Sequence, residues 1–511
     1  MLSTLDYVSK EPRLLIDVVD KINKFSVYLN EQLHKINKKY FLRQRKLTLP
    51  ILVYIMTLTN ATSHSDQTIL DRLKVENIIS ITKQSLNDKC QKIDHSEFTT
   101  LNNSLNDYIF SDNAIRFLIC DGTHLHFEES LCSNKKDGIH LPKSQNGACS
   151  SCIVSGLIDV HTGIPINYYL HNTTNERDAF RKQIKYIKKE TDVIIFDRGY
   201  YGAEFYTELL DLGILTIFRM KLDILFVREF LNGLDSDKII SFKFGIRDIS
   251  IRLIKYKIGN EIYVLGTSLK EHDVDFFKDM YHKRWRIETQ YDFLKNELSF
   301  DDINSRSTNR ICQNIAIHQF ILILCHYIHS LLYKTINYTS EKKINMSSSL
   351  KLIYDNLLKI MLGITQTNLI ERDNDILHII HTIATSTVDV IENRHYVRLK
   401  KRPIKKFGIS PPRMNKNRKD KVVNKRTFQP KLQIEVKPKT KLVMIDFIEY
   451  QPNKKVERKE NKQTIETKTE TETETETKTK TKTKTKTKTK TKTEAETKNK
   501  IATKMKTEMN K

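Results

Sequence analysis

The sequence has few of the features that mark a secreted protein. Seven cysteines are scattered over 511 residues, and only Cys149 and Cys152 form a CxxC pair, with no second pair at the spacing of a zinc site. Such an odd, dispersed set favours a reducing, intracellular location over a disulfide framework. No basic segment followed by an apolar core opens the sequence, so we expect no signal peptide. We expect a cytoplasmic protein in a prokaryote, or a nuclear one in a eukaryotic or viral setting.

Long apolar runs are also lacking. The most apolar stretch, FILILCHYIHSLLY at residues 320–333, contains His326 and His329. It is shorter than the roughly 20 apolar residues that a membrane-spanning helix needs. We therefore predict a buried helix there and no membrane partner.

Positive charge is abundant but unevenly distributed. The net charge is +24, yet residues 401–511 hold 34 basic and 14 acidic residues, a net of +20, which leaves about +4 for residues 1–400. Global charge is thus weak evidence that the folded part binds nucleic acid. Residues 464–494 alternate Thr with Lys or Glu and have almost no apolar groups. They cannot bury enough surface to offset the entropy of ordering, so we predict a disordered tail.

One stretch without Pro or Gly, YHKRWRIETQYDFLK at residues 281–295, has apolar residues at helical spacing, so we predict one long helix. At about 100° per residue, four of its polar side chains fall on a stripe about 60° wide that borders the apolar face. These four are Tyr281, Arg284, Glu288 and Lys295. A solvated helix edge with i,i+4 ion pairs would have the same pattern.

Two β-rich runs upstream contain an aspartate followed closely by glycine: FLICDGTHLHF with Asp121 and DVIIFDRGYYG with Asp197. A single such Asp is usually a turn or cap residue. Two of them together with Glu288 favour three carboxylates that converge on hard cations. Oxygen ligands suit Mg²⁺ or Mn²⁺, and two ions per site suit in-line displacement at phosphorus.

These residues resemble the signature of DDE transposases of the insertion-sequence-4 family. Tyr, Arg, Glu and Lys at 281, 284, 288 and 295 have the spacing of that family, and the aspartates in FLICDGT and FDRGYYG resemble its first and second catalytic Asp. The resemblance covers roughly residues 35–335. The DGT tripeptide also occurs in phosphatases of the haloacid dehalogenase type, but those need a second Asp where this chain has Ile119.

The resemblance implies an α/β fold, an RNase H-like catalytic core over residues 111–335 with a β-rich insertion at about 221–275. We expect a helical N-terminal region (1–110), a helical C-terminal extension (336–400) and a disordered basic tail (401–511). In the core we predict strands near 115–128, 151–160 and 164–170, a helix at 176–189, a strand at 192–197, a helix at 202–212 and a strand at 214–219. Further helices are predicted at 277–298, 307–335, 346–362 and 373–392, and three strands in the insertion.

The implied function is metal-dependent cut-and-paste transposition, in which the enzyme nicks the element ends and the freed 3′-hydroxyl attacks a second strand. A hairpin at the element end is one such route. Asp121, Asp197 and Glu288 would be catalytic and hold two Mg²⁺ or Mn²⁺ ions. DNA contacts would come from Tyr281, Arg284, Lys295 and Arg219. The partners would be the terminal inverted repeats of the element and target DNA, bound by a homodimer.

Other positions leave alternatives open. Residues 65–73 and 81–93 would be either a helix-turn-helix reader of DNA or an ordinary helical pair with a solvated face. In the first case the residues facing DNA would be Lys83, Gln84, Asn87 and Lys89. Separately, a basic cluster (Arg43, Arg45, Lys46) precedes an apolar helix. Base stacking in the insertion would fall to Phe242, Phe244 or Tyr256, because the single Trp, Trp285, lies outside it.

Side chains beside the predicted site also admit plain structural roles. His124 and His126 would be partly exposed strand residues rather than residues that tune the site, and Asp292 would pair with Lys295 at i+3.

Two rival functions follow from the same residues. One is a domesticated or decayed element that binds DNA without strand transfer, and the intact triad argues against it. The other is a nuclease that only hydrolyses DNA. The phosphate-binding residue types beside Glu288 favour end-processing instead.

Overall fold

The computed structural model describes residues 12–42, 46–62, 64–111, 114–128, 149–172, 175–302, 305, 307–336, 338, 341–362 and 369–390. These belong to one structural unit, Met1–Tyr450, and a second unit, Gln451–Lys511, lies outside the described residues. The predictions for Arg43, Arg45 and the basic tail also fall outside them.

The core is a mixed sheet of eight strands. The strands are β1 (Phe117–Glu128), β2 (Cys149–Asp159), β3 (Pro165–His171), β4 (Val193–Phe196), β5 (Leu215–Arg219), β6 (Asp237–Phe244), β7 (Arg247–Ile258) and β8 (Glu261–Thr267). Their order in the sheet is β3-β2-β1-β4-β5-β8-β7-β6. β1 to β3 are antiparallel, β4 and β5 run parallel to β1, and β8 pairs antiparallel with β5. The insertion therefore extends the main sheet.

Alternation along β1 decides what each face of the sheet buries. Leu118 and Cys120 join an apolar cluster with α7 (Ala203–Asp211) and α8 (Leu225–Asn232). Phe117 and Ile119 join the opposite cluster, which also contains residues of the helices described below. Because side chains alternate with a period of two, Asp121 shares its face with the second set. The remaining core helices are α6 (Glu176–Arg181), α9 (Val274–His282) and α10 (Trp285–Glu297).

The rest of the described chain is helical. After a 3₁₀ turn (Pro12–Leu15) come α1 (Ile16–Tyr40), α2 (Leu49–Thr62), α3 (Asp66–Val75), α4 (Lys83–Lys92) and α5 (His95–Ile109). The C-terminal elements are α11 (Thr308–Thr335), β9 (Lys342–Ile344), α12 (Met346–Asp355), α13 (Leu357–Leu362), α14 (Leu369–Thr385) and β10 (Thr387–Asp389). The two ends contact each other, since Asn23 Nδ2 donates to Asp373 Oδ1 at 2.8 Å.

α11 is the centre of this helical part. It is long and apolar enough to cross a membrane by length and composition, but 94% of that window is buried inside the protein. A helix that is apolar all round is what a large core requires. The prediction of a buried helix here is confirmed.

The predicted order of core strands is confirmed, but three predicted helices are wrong in extent and a fourth, predicted at 346–362, is interrupted at Asn356. The helix predicted at 176–189 ends at Arg181, followed by a 3₁₀ turn, because the buried Gln183 side chain donates to Ser155 O (3.0 Å) and Asn167 Oδ1 (3.0 Å). The insertion contains α8 besides its strands, with Val227 and Phe230 buried.

At the C-terminal end, the helix predicted at 373–392 ends at Thr385, since Thr387–Asp389 pairs with Lys342–Ile344 as a small sheet. The third wrong helix is at the site itself and is described below.

Candidate active site

Two aspartates emerge side by side from neighbouring parallel strands. β1 and β4 pair from Phe117↔Val193 to Cys120↔Phe196, so Asp121 and Asp197 are the next residue on each strand. Asp121 continues along β1, whereas Asp197 begins the turn after β4. The predicted positions of both aspartates, on the first strand and just after the fourth, are confirmed.

Glu288 reaches the same point from α10. Tyr291, less than one turn further along, donates from its hydroxyl to the carbonyl oxygen of Asp121 at 2.8 Å. This close approach depends on Gly156 of the neighbouring strand β2, where a Cβ would collide with the Tyr291 hydroxyl. The contact sets the first turn of α10, which contains Glu288, over the point of β1 where its pairing with β4 ends.

One guanidinium contacts all three carboxylates. Arg284, only 4% exposed, lies 2.6 Å from Glu288 Oε1, 3.4 Å from Asp121 Oδ2 and 3.9 Å from Asp197 Oδ1. Its Nε is buried and has no hydrogen-bond acceptor among the described residues. The three carboxylates, which come from three separate elements, are therefore brought together around a cation that retains an unsatisfied donor.

Burial and charge act differently on the two aspartates. Burial raises the pKa of Asp121 to about 7, although Arg284 opposes the shift. For Asp197 burial acts in the same direction, but Arg284, the Arg198 amide and the Tyr281 hydroxyl outweigh it and lower its pKa. Burial disfavours the charge of Arg284, yet Tyr281 and the carboxylates raise its pKa, so it stays protonated.

The predicted helix over residues 277–298 is broken at Lys283–Arg284. α9 ends at His282 and α10 begins at Trp285, and the junction has i→i+3 hydrogen bonds from Arg284 N to Tyr281 O (3.1 Å) and from Arg286 N to Lys283 O (3.0 Å). The residue at the break is the one held by three carboxylates on other elements. This tertiary cause leaves no trace in the local sequence, which lacks Pro and Gly.

The predicted DNA-binding residues divide into two pairs. Tyr281 and Arg284 are buried and point inward, and the Tyr281 hydroxyl donates to Asp197 Oδ1 at 3.2 Å. Lys295 and Arg219 lie nearer the surface, with side chains 27% and 17% exposed.

Lys295 and Arg219 make only long polar contacts with the described residues. Lys295 Nζ donates to His124 O at 3.4 Å and lies 3.9 Å from Asp301. The predicted pair of Lys295 with Asp292 is wrong, because the chain folds back beyond α10 and brings Asp301 to the lysine instead. Arg219 lies 3.9 Å from Glu261 and 4.3 Å above the Tyr263 ring.

The other candidates named from the sequence are partly engaged. In α4, Lys83 and Gln84 are exposed, whereas Lys89 donates to Tyr40 O and lies 3.8 Å from the centre of the Phe41 ring. Lys89 thus packs inside the protein. His124 is exposed, and the side chain of His126 lies outside the described residues.

The insertion aromatics differ in exposure. Tyr256 is 8% exposed and stacks on Tyr263, and Phe242 stacks on Phe226 at 5.2 Å. Phe244 is 37% exposed.

Sequence reasoning missed a fourth carboxylate. Glu176, the first residue of α6, lies close enough to Asp121 for its charge to raise the pKa of that aspartate. The only local signal is the preceding Asn175, whose side chain accepts hydrogen bonds from the amides of Arg177 and Asp178 and so caps the helix.

The donor set fits a hard divalent cation by its chemistry, since carboxylate oxygens are the ligands that Mg²⁺ and Mn²⁺ prefer. Within the described ranges, however, no three His, Cys, Asp or Glu side chains lie at metal-binding separation. Their spacing is that of carboxylates gathered around the Arg284 guanidinium. This arrangement leaves the buried Arg284 Nε without an acceptor among the described residues.

Comparison with known proteins supports a transposase domain. Residues 112–324 match the family model described as "Transposase DDE domain". No curated protein matches the chain. A cryo-EM structure of a piggyBac transposase synaptic complex with hairpin DNA is similar at 13% identity, over 72% of this chain and 85% of that chain, with a TM-score of 0.36. That likeness is too weak to establish fold or function. The segment that matches the transposase DDE model includes Asp121, Asp197 and Glu288.

Proposed function

We propose that the protein is a transposase of the insertion-sequence-4 type, which cuts DNA at the ends of its element and joins the freed 3′-hydroxyl to a second strand. The observation that carries this proposal is the contact of Arg284 with three carboxylates from β1, the β4 turn and α10. The match to a transposase DDE domain supports it. The order of three antiparallel strands, helix, parallel strand, helix and parallel strand supports an RNase H-like core.

The domain family generally uses divalent metal ions. Asp121, Asp197 and Glu288 would hold two Mg²⁺ or Mn²⁺ ions, which when bound make a water or hydroxyl nucleophilic and stabilise the leaving oxygen at phosphorus. The residues themselves set the charge of the site. Above pH 7, where Asp121 is mostly ionised, three carboxylates face the Arg284 guanidinium, and this surplus of negative charge attracts cations.

Arg284 and Tyr281 would act on the DNA phosphate. A guanidinium binds phosphate through paired donors, and the Nε of Arg284 is a donor without an acceptor among the described residues. Tyr281 would hold Asp197 in place through its hydrogen bond. Lys295 and Arg219, which have longer and weaker pairings, would contact the backbone of the terminal DNA.

The partners would be the terminal inverted repeats and a target duplex, with two protomers on paired ends. A hairpin at the element end is the transfer route that we favour. The cell compartment would be one that contains DNA: the cytoplasm of a prokaryote, or the nucleus.

The test is cleavage of a labelled duplex that carries the terminal repeat of the element, with Mg²⁺ or Mn²⁺. Wild type should nick at the boundary, and Glu288→Ala should not. Glu297→Ala is the matched control, because Glu297 lies on the same helix and is exposed. The control should nick like wild type.

The two rival functions give different results in the same assay. Binding to the repeat without nicking, in wild type as in Glu288→Ala, would contradict the enzymatic proposal and leave a DNA-binding protein. Nicking without any joined or hairpin product would indicate a nuclease.

A further inference from the structure

We infer that Glu176 is a fourth carboxylate of this site, which binds divalent cations together with the triad and positions them. The inference rests on the proposed function and adds to it a residue that lies on a fourth element, α6. It concerns the chemistry of an oxygen donor for a hard cation.

The position of Glu176 is fixed on both sides along the chain. Before it, the Asn175 side chain accepts hydrogen bonds from Arg177 N (3.1 Å) and Asp178 N (3.4 Å). After it, Arg177 Nη2 donates to the carbonyl oxygens of Gly199 (3.2 Å) and Tyr201 (2.8 Å). The first turn of α6 is thereby tied to the turn that begins at Asp197, so Glu176 cannot drift away from it.

Glu176 lies between the segments that carry the two aspartates. A Cβ placed on Gly122, the residue after Asp121, would lie 3.3 Å from Glu176 Cγ. A Cβ on Gly199, two residues after Asp197, would lie 3.8 Å from Glu176 Oε2. Glu176 therefore lies against both segments, with its Cγ beside Gly122 and its carboxylate beside Gly199.

The charge of Glu176 acts on the same groups. It raises the pKa of Asp121, and it also acts on Cys120 and Tyr200, which flank the two aspartates. Four carboxylates thus share the site with the Arg284 guanidinium. The charge of each carboxylate disfavours ionisation of its neighbours, and a bound cation would offset that repulsion.

A second observation points to a ligand in the same place. Arg284, nine-tenths buried and in contact with the triad, has a donor that no described residue satisfies. The guanidinium at the site therefore has one donor for which the described residues provide no acceptor. A DNA phosphate would supply that acceptor, and a divalent cation would offset the charge of the carboxylates.

The test is Mn²⁺ binding to the full-length protein, read from the electron paramagnetic resonance signal of free Mn²⁺. Glu176→Gln keeps the shape of the side chain and removes its charge, and we expect it to weaken binding by about 10–100-fold, as for residues that support metal ligands. The matched control is Glu204→Gln, an exposed Glu in the first turn of α7, which should bind like wild type. Glu176→Asp keeps the carboxylate and should bind more tightly than Glu176→Gln.

The outcomes distinguish a failure of the Glu176 inference from a failure of the proposed function on which it rests. If wild type binds Mn²⁺ and Glu288→Gln loses it while Glu176→Gln binds like wild type, Glu176 is not part of the site and the proposed function stands. If wild type binds no Mn²⁺, with or without duplex DNA, both ideas are overturned. Thermal unfolding of each variant shows whether it is folded, and Glu176→Asp provides the test if Glu176→Gln is not.

Discussion

Two buried arginines lie at opposite ends of the segment over which β1 and β4 pair, and their ion pairs differ. Arg116 precedes β1 and Asp192 precedes β4, and the two form a bidentate pair with Nε–Oδ1 and Nη2–Oδ2 distances of 2.9 and 2.5 Å. Asp192 also accepts from Lys188 N at 2.7 Å. One cation meets one carboxylate there, and the carboxylate is 0% exposed.

At the other end of the paired segment, Arg284 is shared among three carboxylates and keeps an unsatisfied Nε. A saturated pair is costly to break and offers nothing to a ligand. The group of Arg284 and its three carboxylates contributes less to stability, and its surplus charge is available to a ligand. The difference separates a structural ion pair from a functional site on the same two strands, and variants at the two ends should have opposite consequences.

The largest effect is expected on catalysis at the Arg284 end. Asp197→Asn should reduce nicking at the element end by at least about 10³-fold, as removal of one member of a catalytic set does. It should lower the free energy of unfolding by less than Asp192→Ala does, because Asn keeps the shape of the side chain and Arg284 keeps two other carboxylates. Single-turnover cleavage and urea unfolding would measure the two. A loss of stability as large as that of Asp192→Ala would remove the distinction between the two ends.

The next largest effect is expected on stability at the Arg116 end. Asp192→Ala should lower the free energy of unfolding by about 3–5 kcal/mol, because it leaves a buried guanidinium without a partner. The double change Arg116→Met with Asp192→Leu should restore most of that loss. Urea unfolding of the single and double variants tests this. A single variant as stable as wild type would show that the pair is not structural.

A smaller effect concerns pH. The pKa of Asp121 is about 7 in the folded protein and about 3.9 when unfolded. Between these values the folded state binds more protons, so stability falls as pH rises from about 4 to 7. In EDTA, Asp121→Asn should lack this fall, which we expect to be on the order of 1–3 kcal/mol in wild type. Unfolding at pH 5 and pH 8 measures it, and parallel profiles for the two proteins would contradict the assignment.

The smallest effect is expected from the surface cations. Arg219→Ala should weaken DNA binding modestly and reduce the slope of log affinity against log salt by about 1, because one phosphate contact is lost. The same measurement on Arg116→Met should show no change in slope. An unchanged slope for Arg219→Ala would remove that residue from the DNA contacts.

The strands and the three carboxylates could be predicted from the sequence because both depend on local patterns of residues. The continuous apolar runs FLIC and VIIF predicted two buried strands, and each run is followed directly by an aspartate. Glu176 and the break at Arg284 were missed because their causes lie elsewhere in the chain. Glu176 lies beside Gly122 and Gly199, which are distant in sequence, so no local pattern marks it. The helix α8 was missed because eight residues between strands give too short a pattern to separate from strand.

The central claim is that the Asp121, Asp197 and Glu288 carboxylates form a cation site, and the most direct test maps where a metal binds. Fe²⁺ substitutes for Mg²⁺ at oxygen sites and, with ascorbate and peroxide, cleaves the backbone near it. Mass spectrometry of the fragments should place the cuts around residues 121, 197 and 288. Excess Mg²⁺ should suppress them, and they should vanish in Glu288→Gln. Cuts that persist in that variant, or that cluster elsewhere, would contradict the account.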